Sequence, residues 1–192
     1  MNETKNKTSS IILIGMFTAI AAVISSLPIG FNIFGVPATL QTFAMAFLGF
    51  VLGKKNGTIA VAIYIFLGLA GIPVYHGFTA GPSVLFGITG GFLWGFLFLS
   101  FFSGMAYEQR NNHLKNIIIK ILLPLIGLIL CHIIGVLQFC LITDMKIWPA
   151  ALAVSIPYLP KDILSIVIAY FIASSIRKAL YASKIYILQS TK

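Results

Sequence analysis

Four carboxylates carry all the acidic chemistry available to this 192-residue chain: Glu3, Glu108, Asp144 and Asp162. Three lie in the polar tail or in loops. Asp162 instead follows Ile156-Pro157-Tyr158-Leu159-Pro160-Lys161 and opens an apolar run. An Asp at a helix start caps orphan N–H groups and suits the helix dipole. An ionisable group beside a double-proline break in an apolar segment also suits a polar cavity, where its oxygens would accept N–H donors of a ligand. The residues alone leave both accounts open. A second candidate stretch reads Gly71-Ile72-Pro73-Val74-Tyr75-His76-Gly77-Phe78-Thr79-Ala80-Gly81-Pro82-Ser83, followed by Gly87-Ile88-Thr89-Gly90-Gly91-Phe92. Its glycines let backbone approach a ligand closely, with Tyr75, Phe78 and Phe92 as apolar walls, although Gly87, Gly90 and Gly91 equally suit close helix packing. Gln41 is the third candidate, a buried amide that needs partners, which a ligand or a neighbouring helix would supply. His132 and Gln138 read as bonds between helices, and His76 and Lys161, taken alone, as ordinary exposed loop residues.

Several chemistries are excluded by what is missing. There is no G-x-x-x-x-G-K-[ST] loop, G-x-S-x-G or H-E-x-x-H. Cys131 and Cys140, nine residues apart in one apolar run, project from opposite faces of a helix and form neither a disulfide nor a metal pair. A small intramembrane enzyme using Asp162 would need a partner group nearby, and the neighbouring sequence offers only Ser165, Lys161 or Tyr158. The reading is no catalytic residues, no metal and no cofactor on this chain.

The elements that position these residues follow from composition. Hydrophobic residues make up 59% of the chain and charged residues 9%, against about 25% charged in an ordinary soluble domain. Mean hydropathy is +1.01. A soluble fold of this size leaves roughly a third of its chain surface wet and cannot hide so much apolar area. The chain reads as a single membrane domain over 1–192, and its net charge of +9 as the loop bias of a membrane protein rather than a nucleic-acid surface. Apolar segments run about 11–29, 37–53, 57–75, 83–106, 116–141 and 148–176. Pro157 and Pro160 split the last into a short piece near 147–156 and a span opening at Asp162. The expected architecture is all-α, with six transmembrane helices. With both termini cytoplasmic, eleven of the thirteen Lys and Arg fall inside, leaving Lys146 and Lys161 outside. That orientation puts Asp162 and the 71–92 stretch on the same outer side. On the first span Gly15, Thr18, Ala19, Ala22 and Ser26 lie at helical spacing that permits close approach of another helix. A ligand-sized polar site without an energy-coupling motif suggests a solute-binding subunit that borrows its motor.

At these residues the chain resembles the BioY family, the biotin-binding S-components of energy-coupling factor (ECF) transporters. Val36-Pro37-Ala38-Thr39-Leu40-Gln41-Thr42 is similar to the family's VPxTLQT, Leu52 to Gly57 to LGxxxG, and Leu67 to Val74 to LGLxGxPV. Gly87 to Phe92 is similar to GPTGGY, and Pro157 to Asp162 to PFxPGD. The resemblance implies a ligand pocket under the extracytoplasmic loops, biotin uptake across the cell (cytoplasmic) membrane, and no enzymatic activity. It implies as partners a transmembrane coupling protein and two ATPases that hydrolyse the ATP, docked through Gly15, Ala19 and Ala22 of the first helix. Asp162 and Thr79 fall at the family's ligand-binding positions, with Gln41, Tyr75 and Phe92 grouped beside them as candidate ligand contacts. Lys161 stands where the family has Gly, Ser165 where its GDxxK motif has Lys, and Ile88 where it has Pro. The resemblance therefore implies that Lys161 replaces the missing charge, or that the scaffold takes a related acid such as lipoate or another biotin-like compound.

Overall fold

A computed structural model of the chain describes residues 2–28, 32–33, 36–108 and 114–182. Seven α-helices account for nearly all of it: α1 Asn2–Ser26, α2 Gln41–Leu69, α3 Pro82–Leu85, α4 Gly90–Glu108, α5 Leu114–Thr143, α6 Ile147–Val154 and α7 Leu159–Ala182. A two-residue antiparallel ribbon, Asn32–Ile33 with Val36–Pro37, precedes α2. Short 3-10 turns cover His76–Phe78 and Ile156–Tyr158.

α2 is two limbs rather than one rod. Gly53 leaves helical geometry at φ 81° and ψ 174°, a conformation reserved for glycine. The chain reverses there: the Gln41 amide donates to the Tyr64 hydroxyl at 2.9 Å, whereas 23 residues of straight helix would separate them by about 35 Å. Gly49 and Gly57 let the limbs touch, since a Cβ on Gly57 would fall 2.7 Å from the Gly49 Cα. The sequence predicts two spans here with a polar break over 53–57; the break contracts to Gly53 alone, and 54–57 form the first turn of the second limb. Among the described residues five helices are long and apolar enough to cross a membrane by length and composition. Counting the limbs of α2 separately gives six helical passages.

The limbs are short. Residues 41–52 rise about 18 Å and 54–69 about 24 Å, below the roughly 30 Å of a hydrocarbon core. The first limb therefore starts deep in the bundle, and the space above Gln41 is left for extended chain and side chains. The predicted 83–106 span also divides, into α3 and α4 separated by the Phe86–Thr89 turn. Here Gly90 and Gly91 act by packing: a Cβ on Gly91 would meet the Ile134 carbonyl oxygen at 2.5 Å.

The core runs between α2, α4, α1 and α7, with Met45, Leu48, Phe50, Tyr64, Leu99 and Ala169 fully or almost fully buried. Outward faces are apolar as well. Ile118, Ile121, Leu122, Ile129 and Leu141 on α5, and Leu164, Val167 and Phe171 on α7, are exposed, a pattern stable against lipid rather than water. Parts of the predicted charge pattern, Arg110, Lys184 and Lys192, and the break residues Ile29 and Gly30, lie outside the described residues.

Candidate functional site

The space above Gln41 is a cavity of about 430 Å³, within the usual range for small-molecule sites. Residues 36–40, the start of α2 and the 75–89 segment form its upper walls, and α4, α5 and the start of α7 its sides. The Gly53 elbow with Lys54 and Lys55 is at the far end of the bundle. Of the sequence-predicted site residues, Asp162, Lys161, Gln41, Thr79, Tyr75 and Phe92 all line it. Ser165 does not: it is buried one turn further along α7, off the cavity wall. Phe78, expected as a wall, is also absent from the lining and is largely exposed.

Asp162 sits in the first turn of α7, 4% exposed. The carboxylate is not the helix cap of the simpler account, because its oxygens are taken from the side. Lys161 Nζ lies 2.5 Å from Oδ1, and His132 Nε2 from α5 lies 3.2 Å from Oδ2. Burying a charge costs several kcal/mol unless pairing and hydrogen bonds offset it, and this carboxylate has both. Lys161 also donates to the Thr39 carbonyl at 2.8 Å. It is therefore no free loop cation, as the residue taken alone suggested, but a tie between α7 and the 36–40 segment. Both residues line the cavity, so the pair presents an acceptor next to a donor.

The walls are held by bonds that sequence reasoning left out. The Tyr158 hydroxyl donates to the Val36 carbonyl at 2.5 Å, closing the double-proline turn onto the ribbon. Thr39 Oγ1 donates to Gln41 Oε1, whose amide reaches Tyr64, so Gln41 is oriented by partners on both sides. Tyr75 contributes ring rather than hydroxyl. Its O–H donates to the Ile65 carbonyl at 2.6 Å, and burial pushes it up to about 12. Thr79 Oγ1 donates to the His76 carbonyl. Burial lowers the His76 imidazole below its ordinary range, so it is neutral near pH 7. Gln138 bonds the Leu85 and Gly87 carbonyls, fixing the α3–α4 turn as glue between elements.

His132 is the residue that sequence reading undervalued. It does join helices, yet it also lines the cavity against Asp162, with the Phe92 ring edge-on at 5.7 Å. The available signal was its type: an ionisable side chain inside an apolar span is costly and asks for a named partner. Ser155, His132 and Asp162 have the composition of a hydrolytic triad in inverted order. Ser155 lies behind the ring, away from the lining, and the carboxylate faces the space, so no nucleophile addresses a substrate. Among the described residues no group of three or more His, Cys, Asp or Glu could hold a metal ion. Cys131 and Cys140 are free thiols.

On the first helix, Gly15 and Ala19 are exposed, with nothing within 4 Å of a Cβ on Gly15. Ala22, expected on the same docking face, is instead buried in the core with Phe17 and Ala21. Three residues leave a net offset of about 60°, which moves Ala22 off the exposed edge that holds Ala19 and onto the buried face it shares with Thr18 and Ala21.

Comparison with known proteins places this architecture. The sequence matches the BioY family over residues 1–182. The chain belongs to the BioY family. A biotin transporter BioY of Thermotoga maritima is 34% identical over 85% of this chain and 93% of its own length. BioY2 of Lactococcus lactis subsp. cremoris is 34% identical over 91% and 93%, and the Rhodobacter capsulatus BioY 31% over 87% and 92%. Among solved structures, the S-component for biotin from an ECF-type ABC transporter superposes with a TM-score of 0.78, covering 93% of this chain and 94% of that one at 24% identity. This BioY-family chain is thus a multi-pass membrane protein with the S-component fold.

Proposed function

We propose that this BioY-family protein is the substrate-binding subunit of a biotin uptake system, a single membrane domain that performs no chemistry on its ligand. The observation that carries the reading is the buried Asp162 carboxylate, paired with a half-buried Lys161, opening into a 430 Å³ cavity with apolar walls. A cyclic urea presents N–H and C=O side by side on one edge. Asp162 accepts the N–H and the free donor of Lys161 meets the carbonyl, in a site where water competes little. Phe92, Phe96 and the Tyr75 ring offer the apolar surface that a fused thioether ring and alkyl chain require. Thr79 and Gln41 are the neutral polar contacts. Relatives that carry the name biotin transporter support the choice of ligand.

The proposed topology puts both termini in the cytoplasm and the cavity at the outer face of the cytoplasmic membrane. Lys54 and Lys55, at the end of the bundle away from the cavity, accord with it. ATP hydrolysis belongs to two ATPases, reached through a transmembrane coupling protein that contacts the exposed Gly15–Ala19 face of α1. Calorimetric titration of the purified chain with biotin, desthiobiotin and lipoate tests the assignment. Saturable nanomolar-range biotin binding is the expected result. A clear heat with lipoate and none with biotin would move the same scaffold to another acid, and no heat with any of the three would overturn the reading.

A further inference from the structure

Behind the cavity wall a polar chain crosses three elements: Ser155 Oγ lies 2.9 Å from His132 Nδ1, and His132 Nε2 lies 3.2 Å from Asp162 Oδ2. All three residues are buried, at 7%, 6% and 4% exposure. An ionised carboxylate only accepts, so Nε2 carries the ring proton. In the Nε2–H tautomer Nδ1 is an acceptor, and the Ser155 hydroxyl donates to it. Ser155, at the joint between α6 and the 3-10 turn, thereby fixes the tautomer of a histidine on α5, which in turn holds a carboxylate on α7.

The carboxylate has about four acceptor positions. His132 holds Oδ2, while Oδ1 is ion-paired with Lys161 and has no hydrogen-bond partner among the described residues, so the direction of the acceptor left for a ligand depends on which way the group is turned. Lys161, although tied to the Thr39 carbonyl, ends a flexible four-carbon stem and cannot fix that direction alone. The imidazole can: its ring is anchored at Nδ1 by Ser155 and flanked edge-on by Phe92 at 85°.

We propose that His132, locked by Ser155, is a positioning residue that selects the Asp162 rotamer and so aims the remaining acceptor at an N–H donor of the ligand. This rests on the proposed function in taking Asp162 as the ligand's acceptor. Loss of one hydrogen bond to a buried charge corresponds to about 10- to 100-fold in affinity.

The experiment combines calorimetric biotin titration of His132→Leu, His132→Gln, Ser155→Ala and Ser155→Ala/His132→Gln with ¹⁵N NMR of the wild-type imidazole. His132→Leu should weaken binding by about 10- to 100-fold. His132→Gln, whose amide reaches as far as Nε2, should restore it to within about fivefold. Ser155→Ala should weaken binding in the histidine background and add nothing in the glutamine one, because a carboxamide needs no tautomer lock. Strict additivity of the two substitutions, or glutamine no better than leucine, overturns the proposal. The spectrum decides independently of any ligand and of whether His132→Leu folds: an Nε2–H tautomer is expected, and an Nδ1–H tautomer overturns it. A wild type that shows the Nε2–H tautomer but binds no biotin leaves the positioning chain standing and removes the ligand assignment instead.

Discussion

At the scale of single residues, the site is governed by the cost of burying charge. Asp162 is tolerable inside the bundle because Lys161 pairs with one of its oxygens and His132 bonds the other. Asp162→Asn replaces an acceptor by a group that presents its own N–H, and biotin affinity should fall by on the order of 100-fold in titration calorimetry. Lys161→Met leaves the carboxylate without its cation. Because the lysine side chain is 30% exposed, solvent screens part of the loss, and the thermal-melt deficit should be about 1–3 kcal/mol. Adding Asp162→Asn to Lys161→Met should recover part of that deficit, since no orphaned charge remains. His76 gives the pH response. Its folded-state value is depressed below 6.5 by burial, so the unfolded chain takes up the proton first. Stability should decline as pH falls below 6.5 toward the folded-state value and be unaffected by this group above it. Comparing melts of wild type and His76→Gln from pH 7.5 to 5 isolates the contribution. Equal slopes would remove His76 from the account.

At the scale of elements, the decisive feature is the reversal within α2. The elbow works because Gly53 has positive φ, and because Gly104 on α4 lets the Lys54 backbone approach to where a Cβ would otherwise stand. Gly53→Ala should destabilise the chain by about 1–3 kcal/mol, read as a lower melting temperature at unchanged helix content. A second element-level fastening lies nearby. Arg177 of α7, 4% exposed, donates to the Phe50 carbonyl at 2.9 Å and lies 4.1 Å from the centre of the Tyr107 ring. It thus caps the C-terminal end of the first α2 limb, where unpaired carbonyls and the helix dipole favour a cation. Arg177→Met should cost about 1–3 kcal/mol by thermal melt. Arg177→Lys should recover only part, because an ammonium lacks the flat fork that bonds the carbonyl and faces the ring together.

At the scale of the whole molecule, binding and coupling are served by different surfaces. The cavity is walled by the 36–42 segment, the 75–89 loop, α4, α5 and the α7 start, whereas Gly15 and Ala19 face outward from α1. Ala19→Trp should leave biotin titration unchanged and reduce vitamin uptake in cells that supply the coupling protein and ATPases. Loss of both together would mean that α1 supports the cavity. Ala22→Trp should behave differently, lowering stability, because that position is closed by the chain's own core.

Composition, charge spacing and local motifs determined a great deal alone: a membrane chain, its apolar segments, the split of the last segment at Pro157 and Pro160, and the candidates Asp162, Gln41, Tyr75 and Phe92, with Thr79 added by the family resemblance. These are legible because the bilayer imposes length and apolarity, and because rare polar residues stand out against such a background. Helix ends were legible less well, since α1 starts at Asn2 rather than Ile11 and α7 runs on to Ala182. Tertiary structure decided the rest. That the 37–53 and 57–75 segments are limbs of one folded element depends on a single Gly53 dihedral and on the Gly49–Gly57 contact. That Ser165 and Ala22 face away from their expected roles follows from helix rotation, which periodicity fixes weakly where every face is apolar. That His132 guards Asp162 could not be read along the chain at all: 30 residues separate them, and only the packing of α5 beside α7 brings donor and carboxylate to 3.2 Å.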